Sequence, residues 1–437
     1  MSRVAEISAA LAGYDPKALS VDGVQAFLAS LVEPAILRER ERVPLFEALG
    51  RVLAEDVISP FNVPPHDNSA MDGFAFDGAV LDALPAPGEI SLRVAGTALA
   101  GAAWRGALSK GEALKIMTGA VMPAGFDTVV PQEFCRIDGD TVRFPADALR
   151  RGDNRRFAGE DLMQGRPALL QGERLTPAGL GLLASLGQAE ACVVRRLRVA
   201  YFSTGDEILS LGEAPREGAV YDSNRYTVFG LLTRLGCEVV DLGMVRDDPA
   251  ALAAALSDAA LRADAIITSG GVSVGEADHT RAVMRQLGDM AFWRVAMRPG
   301  RPMAVGLVPK GDGAGAGAAV LFGLPGNPVA VMVTFLAFVR PALLRLMGCN
   351  ASNAAPPPML RARSVASIRK KPGRTEYQRG RVTCTPGALP EVRIAGNQGS
   401  GVLSSMVEGN GLVVLHHAQG SVAPGDEVDV MMFDGVV

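Results

Sequence analysis

Cysteine and histidine are scarce in this chain of 437 residues, numbering five and four. Cys135, Cys192, Cys237, Cys349 and Cys384 are widely scattered, with no CxxC pair and no histidine at ligand spacing. That excludes a disulfide framework and gives no support to zinc, so the cysteines are expected reduced, mostly buried and inert. The adjacent pair His416 and His417 is expected in a solvated turn. An excess of charge of one sign is missing too: 43 basic against 47 acidic residues leave a formal charge of -4. No global field then favours nucleic acid or anionic lipid, and any anion site must be local. The start of the chain shows no apolar run before a small-residue cleavage site, and no later window reaches the length of a membrane span, so a cytoplasmic protein without membrane contact is expected. The length itself rules out a single hydrophobic core and points to two to four domains.

What is present is an ordered succession of patterns. From Ser20, apolar residues at Val21, Val24, Phe27, Leu28 and Leu31 have the spacing of one buried helix face. Pro44 opens a second short helix, LFEALGRV, with Gly50 as its stop. Between Val63 and Phe144 glycine and proline recur, and Asp138-Gly139 separates two extended runs as a tight hairpin, which predicts a small β-rich domain. Helical periodicity returns at Thr176 to Leu186, so the segments flanking the β-rich insert can share one domain. LRVAYFS then reads as a strand buried on both faces, followed by helices at Asn224 to Leu235 and Pro249 to Arg262, strands CEVVDLGMV and AIITSGG, and a helix capped by Asp278. A long apolar helix begins at Asn327-Pro328. This alternation predicts a three-layer α/β domain. After the linker NASNAAPPP, short alternating strands predict a small β-barrel or sandwich.

Chemistry-bearing residues collect where strands of the α/β domain end, the place where open parallel sheets bind ligands. In the loop from Ser269 to Ser273, Gly270 and Gly271 would let backbone N–H groups approach a phosphate. Pro325, Gly326, Asn327 and Pro328 open a helix whose N–H groups and dipole suit an anion. Neither loop is a GxGxxG fingerprint, so a dinucleotide is poorly supported. Arg298-Pro-Gly-Arg301 sets two guanidinium groups on a stiffened turn, suited to an oxyanion, although plain surface charge explains it equally well. Asp206, Glu207, Asp222, Asp247, Asp248 and Asp278 could hold Mg²⁺ against phosphate. Helix capping alone would account for about half of these acids.

Taken together, PPHDNSAMDGFA, IMTGAVMPAGFDTVVPQE, GEDL, STGDEI, VYDSNR, SGGVSVGEADHT, MRPGRPMAVG and LPGNPVAV, in this order across nearly the whole chain, resemble the molybdopterin molybdenumtransferase (MoeA) family, which includes the gephyrin E domain. The resemblance implies a multidomain α/β fold in four parts. These are an elongated discontinuous domain (1–60 and 155–195), a β-rich inserted domain (61–154), a three-layer α/β/α molybdopterin-binding domain (196–350) and a C-terminal β-barrel (356–437). It also implies a homodimer in which Asp72 and Thr118 of one subunit cross toward Glu207, Asp247 and Asp278 of the other, with Asp161 as a further functional acid. Asp72, Glu207, Asp247 and Asp278 are then the candidate metal ligands. Ser269, Gly270, Gly271, Ser273, Arg294, Arg298, Arg301 and residues 325–328 are expected at the cofactor site, and Arg374, Arg379 and Ser400 near molybdate. Arg298 and Arg301 stand where many members carry lysine.

The reaction so implied joins molybdate to adenylylated molybdopterin and releases AMP, with Mg²⁺ as cofactor. The partners it implies are the upstream molybdopterin adenylyltransferase and downstream molybdoenzyme chaperones. Two rivals remain: adenylyl transfer to molybdopterin, performed by relatives with only the α/β domain, and a gephyrin-like scaffold. The β-rich modules and Asp72 argue against the first. The lack of a long disordered linker or extra module argues against the second.

Overall fold

The structure is a computed structural model and describes residues 2–83, 88–271, 278–311 and 317–435. The chain forms two compact units, one of Met1–Glu55, Gln171–Leu180 and Glu190–Val437, the other of Asp56–Leu170 and Gly181–Ala189. The larger unit is discontinuous because strand Arg40–Pro44 pairs antiparallel with Glu190–Val194, so segments on either side of the insertion share one ladder.

In the smaller unit six strands lie in the order Thr128–Pro131, Gly73–Phe76, Glu112–Ile116, Glu89–Ala98, Thr141–Pro145 and Arg136–Asp138. Alternation along Gly73–Phe76 feeds two cores: Phe74 and Phe76 pack with Phe144, and Ala75 packs with Leu114 and Val129 on the other face. The expected hairpin closes with Asp138 opposite Thr141 and Gly139 at φ +64°, a left-handed position that favours glycine.

The larger unit centres on a six-stranded sheet, built from β1 (Arg198–Thr204), β2 (Glu238–Val245), β3 (Ala265–Ser269), β4 (Asp289–Arg294), β5 (Pro302–Pro309) and β6 (Ala318–Leu324). Their order is β2-β1-β3-β6-β5-β4; the first four are parallel, β5 runs antiparallel to β6, and β4 runs antiparallel to β5. The apolar runs of the sequence serve both faces. Val199, Tyr201, Ile267 and Phe322 join one core, while Ala200, Phe202, Ile266 and Leu321 join the other. Helices α1 (Ser223–Leu235) and α2 (Pro249–Arg262) connect β1 to β2 and β2 to β3. Asp248 caps α2 through Ala251 N–H at 2.8 Å, and Gly236 ends α1 at φ +92°.

Beyond the sheet, five strands close into a barrel. Thr375–Thr383 pairs with Glu391–Ile394, which is followed by Leu360–Ser364, Glu427–Met432 and Gly411–Leu415, and the last pairs again with Thr375–Thr383. Closure leaves these five strands without a free edge among them, and Met297–Arg298 adds in parallel to Thr375 and Glu376 as a sixth strand. Val382, Val413 and Val430 fill the interior.

Three sequence expectations need correction. LFEALGRV forms only a 3₁₀ turn, Leu45–Glu47, because its apolar residues do not share one buried face: Ala48 and Val52 are buried while Phe46 and Leu49 are exposed. The chain does contain a stretch long and apolar enough to span a membrane, Pro328–Leu346, with a mean hydropathy of 1.9. It is 83% buried inside the protein, so its apolar surface faces protein and not lipid. Of the cysteines only Cys237 is fully buried, and Cys384 is exposed. The histidine pair is exposed after Gly411–Leu415 as expected, with His416 Nε2 bonded to Asp429 at 2.7 Å.

Candidate functional site

The parallel register brings three strand ends level, with Ser203 beside Ser269 and Ser269 beside Leu324. The loops that leave these ends enclose a cavity of about 580 Å³, lined among others by Thr204, Glu207, Asp222, Asn224, Ser269, Gly270, Gly326, Asn327 and Gly401. Under its floor Tyr201 O–H lies 2.8 Å from Ser203 Oγ and 2.7 Å from Ser269 Oγ, a hydroxyl cluster inside an apolar strand. Desolvation holds the Tyr201 phenol well above its ordinary range, so it stays protonated.

The glycines here have a packing reason before any ligand reason. Gly270 sits at φ +92°, and a Cβ there would lie 2.3 Å from the Thr204 carbonyl oxygen. At Gly271, φ +63°, a Cβ would press on Thr280 Cγ2 at 2.8 Å. Gly326 is different: a Cβ would meet only Gly270 Cα at 3.8 Å, so its backbone faces open space. The helix beginning at Pro328 offers fewer donors than the sequence suggests. Pro328 has no N–H, and Val329 N–H already donates to Ser400 O at 3.0 Å. Gly326 and Asn327 N–H remain unbonded within the described chain, and the Asn327 side chain makes no cap bond. Pro325 is buried beside them.

Among the acids, Asp248 is a cap, and Asp222 is one through a single oxygen that accepts from Arg225 N–H at 3.1 Å. Asp247 follows β2 and is held above the usual carboxylate range by desolvation and by the negative fields of Asp206 and Glu207. Of the four acids expected to hold metal, Glu207 and Asp247 lie in the larger unit. Asp72 belongs to the smaller unit, the Asp278 side chain lies outside the description although its backbone begins the helix Asp278–Leu287, and Ser273 lies outside the described residues. Among the described residues no three His, Cys, Asp or Glu side chains converge on a metal-sized site.

A second cavity, of about 560 Å³, gathers six positive side chains, Arg298, Arg369, Lys370, Lys371, Arg374 and Arg379, against one carboxylate, Glu376. Several of these charges are already engaged. Arg379, 1% exposed, bonds Ser405 Oγ at 2.9 Å and the carbonyls of Asn397 and Gly399 at 3.0 Å each. Lys370 Nζ donates to Gln419 O at 2.6 Å, and burial lowers its pKa. Arg374 pairs with Glu376 at 2.7 Å. Arg298 is exposed and joins this cavity on a turn fixed at Gly300, where a Cβ would strike Thr334 Cγ2 at 2.4 Å. Arg301 and Arg294 are exposed and line neither cavity; Arg301 accepts from Val295 N–H through its carbonyl at 2.7 Å. Arg379 therefore acts by fixing the 397–399 loop, whose neighbour Ser400 in turn holds Val329. The run Arg369-Lys-Lys371 was missed in the sequence, although a basic cluster ahead of Pro372-Gly373 is a readable signal. Tyr201 carried no such signal, and Asn224 lay inside the motif VYDSNR without being singled out.

In the smaller unit Asp72 and Thr118 do meet. Thr118 N–H and Oγ1 donate to Asp72 Oδ1 at 2.7 and 2.8 Å, and these bonds hold the Asp72 carboxyl below its ordinary pKa. Asp161 is exposed, with its N–H on Val63 O at 3.0 Å.

Family comparisons match this arrangement along the chain. Residues 19–187 fit the MoeA N-terminal region (domain I and II), 200–345 a probable molybdopterin binding domain, and 361–433 the MoeA C-terminal region (domain IV). A molybdopterin molybdenumtransferase of Haemophilus influenzae is 40% identical over 91% of this chain and 94% of its own length. The chain belongs to the MoeA family. Another MoeA relative, the molybdopterin molybdenumtransferase of a Nostoc species, is 35% identical over 90% of this chain and 89% of its own. A solved MoeA structure from Pyrococcus horikoshii superposes with a TM-score of 0.74 at 26% identity, covering 95% of this chain and 100% of that one. The MoeA relatives are named as transferases, which favours neither the adenylyltransferase nor the scaffold alternative.

Proposed function

We propose that this MoeA-family enzyme inserts molybdenum from molybdate into adenylylated molybdopterin and releases AMP. The observation that carries the reading is the pairing, in one unit, of a glycine-walled cavity at the strand ends with a strongly basic one. The 397–400 loop touches both, since Gln398 lines the basic cavity while Ser400 holds the helix entrance of the other. The task is to hold two anionic reactants together, and proximity with preorganised charge is the main contribution a protein can make to it. Arg298, with Arg369 and Lys371, would hold molybdate. Gly326 and Asn327 N–H would face the phosphoryl groups.

Magnesium belongs to the same proposal. Glu207 and Asp247 are hard oxygen donors, and the repulsion that adds to burial in raising Asp247 is what a cation would relieve. They would hold the ion together with substrate oxygens, where it would neutralise phosphoanhydride charge. The four-part division expected from the sequence (1–60 with 155–195, 61–154, 196–350, 356–437), a homodimer that brings in Asp72 and Thr118 of a second copy, and a cytoplasmic location complete the reading. So do contacts with the upstream adenylyltransferase and downstream chaperones.

The test is to incubate the purified chain with adenylylated molybdopterin and Mg²⁺, with and without molybdate. Molybdate-dependent AMP release with molybdenum retained on the pterin is the expected result. ATP consumption with build-up of the adenylylated pterin would overturn it in favour of the preceding step.

A further inference from the structure

Three side chains that line the strand-end cavity are more than nine-tenths buried, and each carries an oxygen without a hydrogen-bond partner among the described residues: Thr204 Oγ1, Asp222 Oδ2 and Asn224 Oδ1. Native interiors rarely leave buried polar atoms unpaired, and three on one cavity call for a common cause.

Their orientations are fixed by the bonds they do make. Asp222 Oδ1 accepts the Arg225 N–H at 3.1 Å as the cap of α1, which leaves Oδ2 as the free oxygen. Asn224 Nδ2 donates to Gly326 O at 2.7 Å, so its carbonyl oxygen is the free end. The two fixed groups therefore offer acceptors only, and the Thr204 hydroxyl can act either way. Nearby groups cannot satisfy them, since Tyr201 O–H is engaged with Ser203 and Ser269, and Asp222 forms no ion pair with any described side chain. Such a wall repels phosphate and molybdate. It suits an edge that presents neighbouring N–H donors, because the two fixed acceptors, Asp222 Oδ2 and Asn224 Oδ1, line one cavity and can each take one N–H.

We infer that Asp222, Asn224 and Thr204 recognise the donor edge of the substrate's ring system, namely the ring N–H and adjacent exocyclic amino group of a 2-amino-4-oxopyrimidine, the outer half of a pterin. The inference rests on the molybdopterin reading above and deepens it. It divides the cavity by chemistry: donors of the ring meet the Asp222 wall, and phosphoryl oxygens meet Gly326 and Asn327 N–H.

The experiment uses two fluorescent probes, pterin and lumazine, which differ in that lumazine has an oxo group where pterin has the amino group. Their binding to the full chain is titrated for the wild type, Asp222→Asn and Thr204→Val. The wild type should prefer pterin by about tenfold or more, which is about 1.4 kcal/mol, since a buried polar group left unpaired by the ligand carries a cost of that size. Asp222→Asn should erase that preference while the helix keeps a capping side chain. Thr204→Val should weaken pterin binding with no fall in the thermal midpoint, since the lost hydroxyl has no partner in the fold. Equal pterin affinity and preference in the wild type and both variants would overturn the assignment and leave pterin binding intact. Failure of the wild type to bind pterin at millimolar concentration would remove the molybdopterin reading as well.

Discussion

The two cavities of the larger unit are nearly equal in size, about 580 and 560 Å³, and are built in opposite ways. The strand-end cavity is made by backbone: three strands stop at one level, and glycines let their loops lie against each other. Its side chains carry few charges, and several of its buried oxygens lack partners among the described residues. The basic cavity is made by side chains drawn from separate segments, and half of its charge is already bonded. Charge that lines a cavity is thus a poor guide to charge available for a ligand. Arg379 and Lys370 organise the protein, whereas Arg298, Arg369 and Lys371 are the candidates for binding.

That contrast can be broken most forcefully at Gly270. Gly270→Val combines a positive φ with a clash on the Thr204 carbonyl, and should cost roughly 2–4 kcal/mol of stability. AMP release should be abolished, while molybdate still protects the basic cavity from arginine-directed modification. Loss of both would mean that the cavities are not separable. Arg379→Met should come next, at about 3 kcal/mol by chemical denaturation, because the carbonyls of Asn397 and Gly399 and the Ser405 hydroxyl lose a buried charged donor. Its effect on substrate binding should follow through the loosened 397–400 loop, as a raised KM with added protease cleavage there.

Arg298→Ala sharpens the comparison from the other side. An exposed arginine outside the core should leave stability within about 0.5 kcal/mol. The KM for molybdate should rise, and the dependence of KM on salt should flatten. A large drop in the thermal midpoint would place Arg298 with Arg379 instead. The smallest effect is expected at Asp247. Its pKa is raised in the folded state, so the favourable linkage is fully present below its unfolded value of about 3.9 and is lost as pH rises through the folded value. At neutral pH the charged group therefore opposes folding, and Asp247→Asn should raise the thermal midpoint slightly. The gain should disappear near pH 3. No gain at neutral pH would show that neither burial nor the charges of Asp206 and Glu207 disfavour the ionised group.

Much of the fold was legible in the sequence because its signals are local. Ser20, Asp248 and Gly236 mark helix ends by their own backbone chemistry, and the uninterrupted apolar residues of β1, β3 and β6 announce strands buried on two faces. What escaped has non-local causes. LFEALGRV has a helix's spelling but no neighbour to bury Phe46. For the site, the strand-end loops were readable, since polar residues and glycine follow each buried strand. Which acids cap and which stay free depended on angles no spacing encodes: Asp248 caps, Asp247 does not, and Asp222 divides its two oxygens between roles. Arg379 carried the family's pattern, and only burial revealed that it holds a loop.

The apolar segment Pro328–Leu346 also bears on how the chain is made. By composition it could enter a bilayer, yet in the finished protein it is core. During synthesis β1 to β6 leave the ribosome before it does, so a sheet that can receive it is already outside the exit tunnel when this segment appears. The order of the elements along the chain shortens the time for which a membrane-competent sequence is left uncovered.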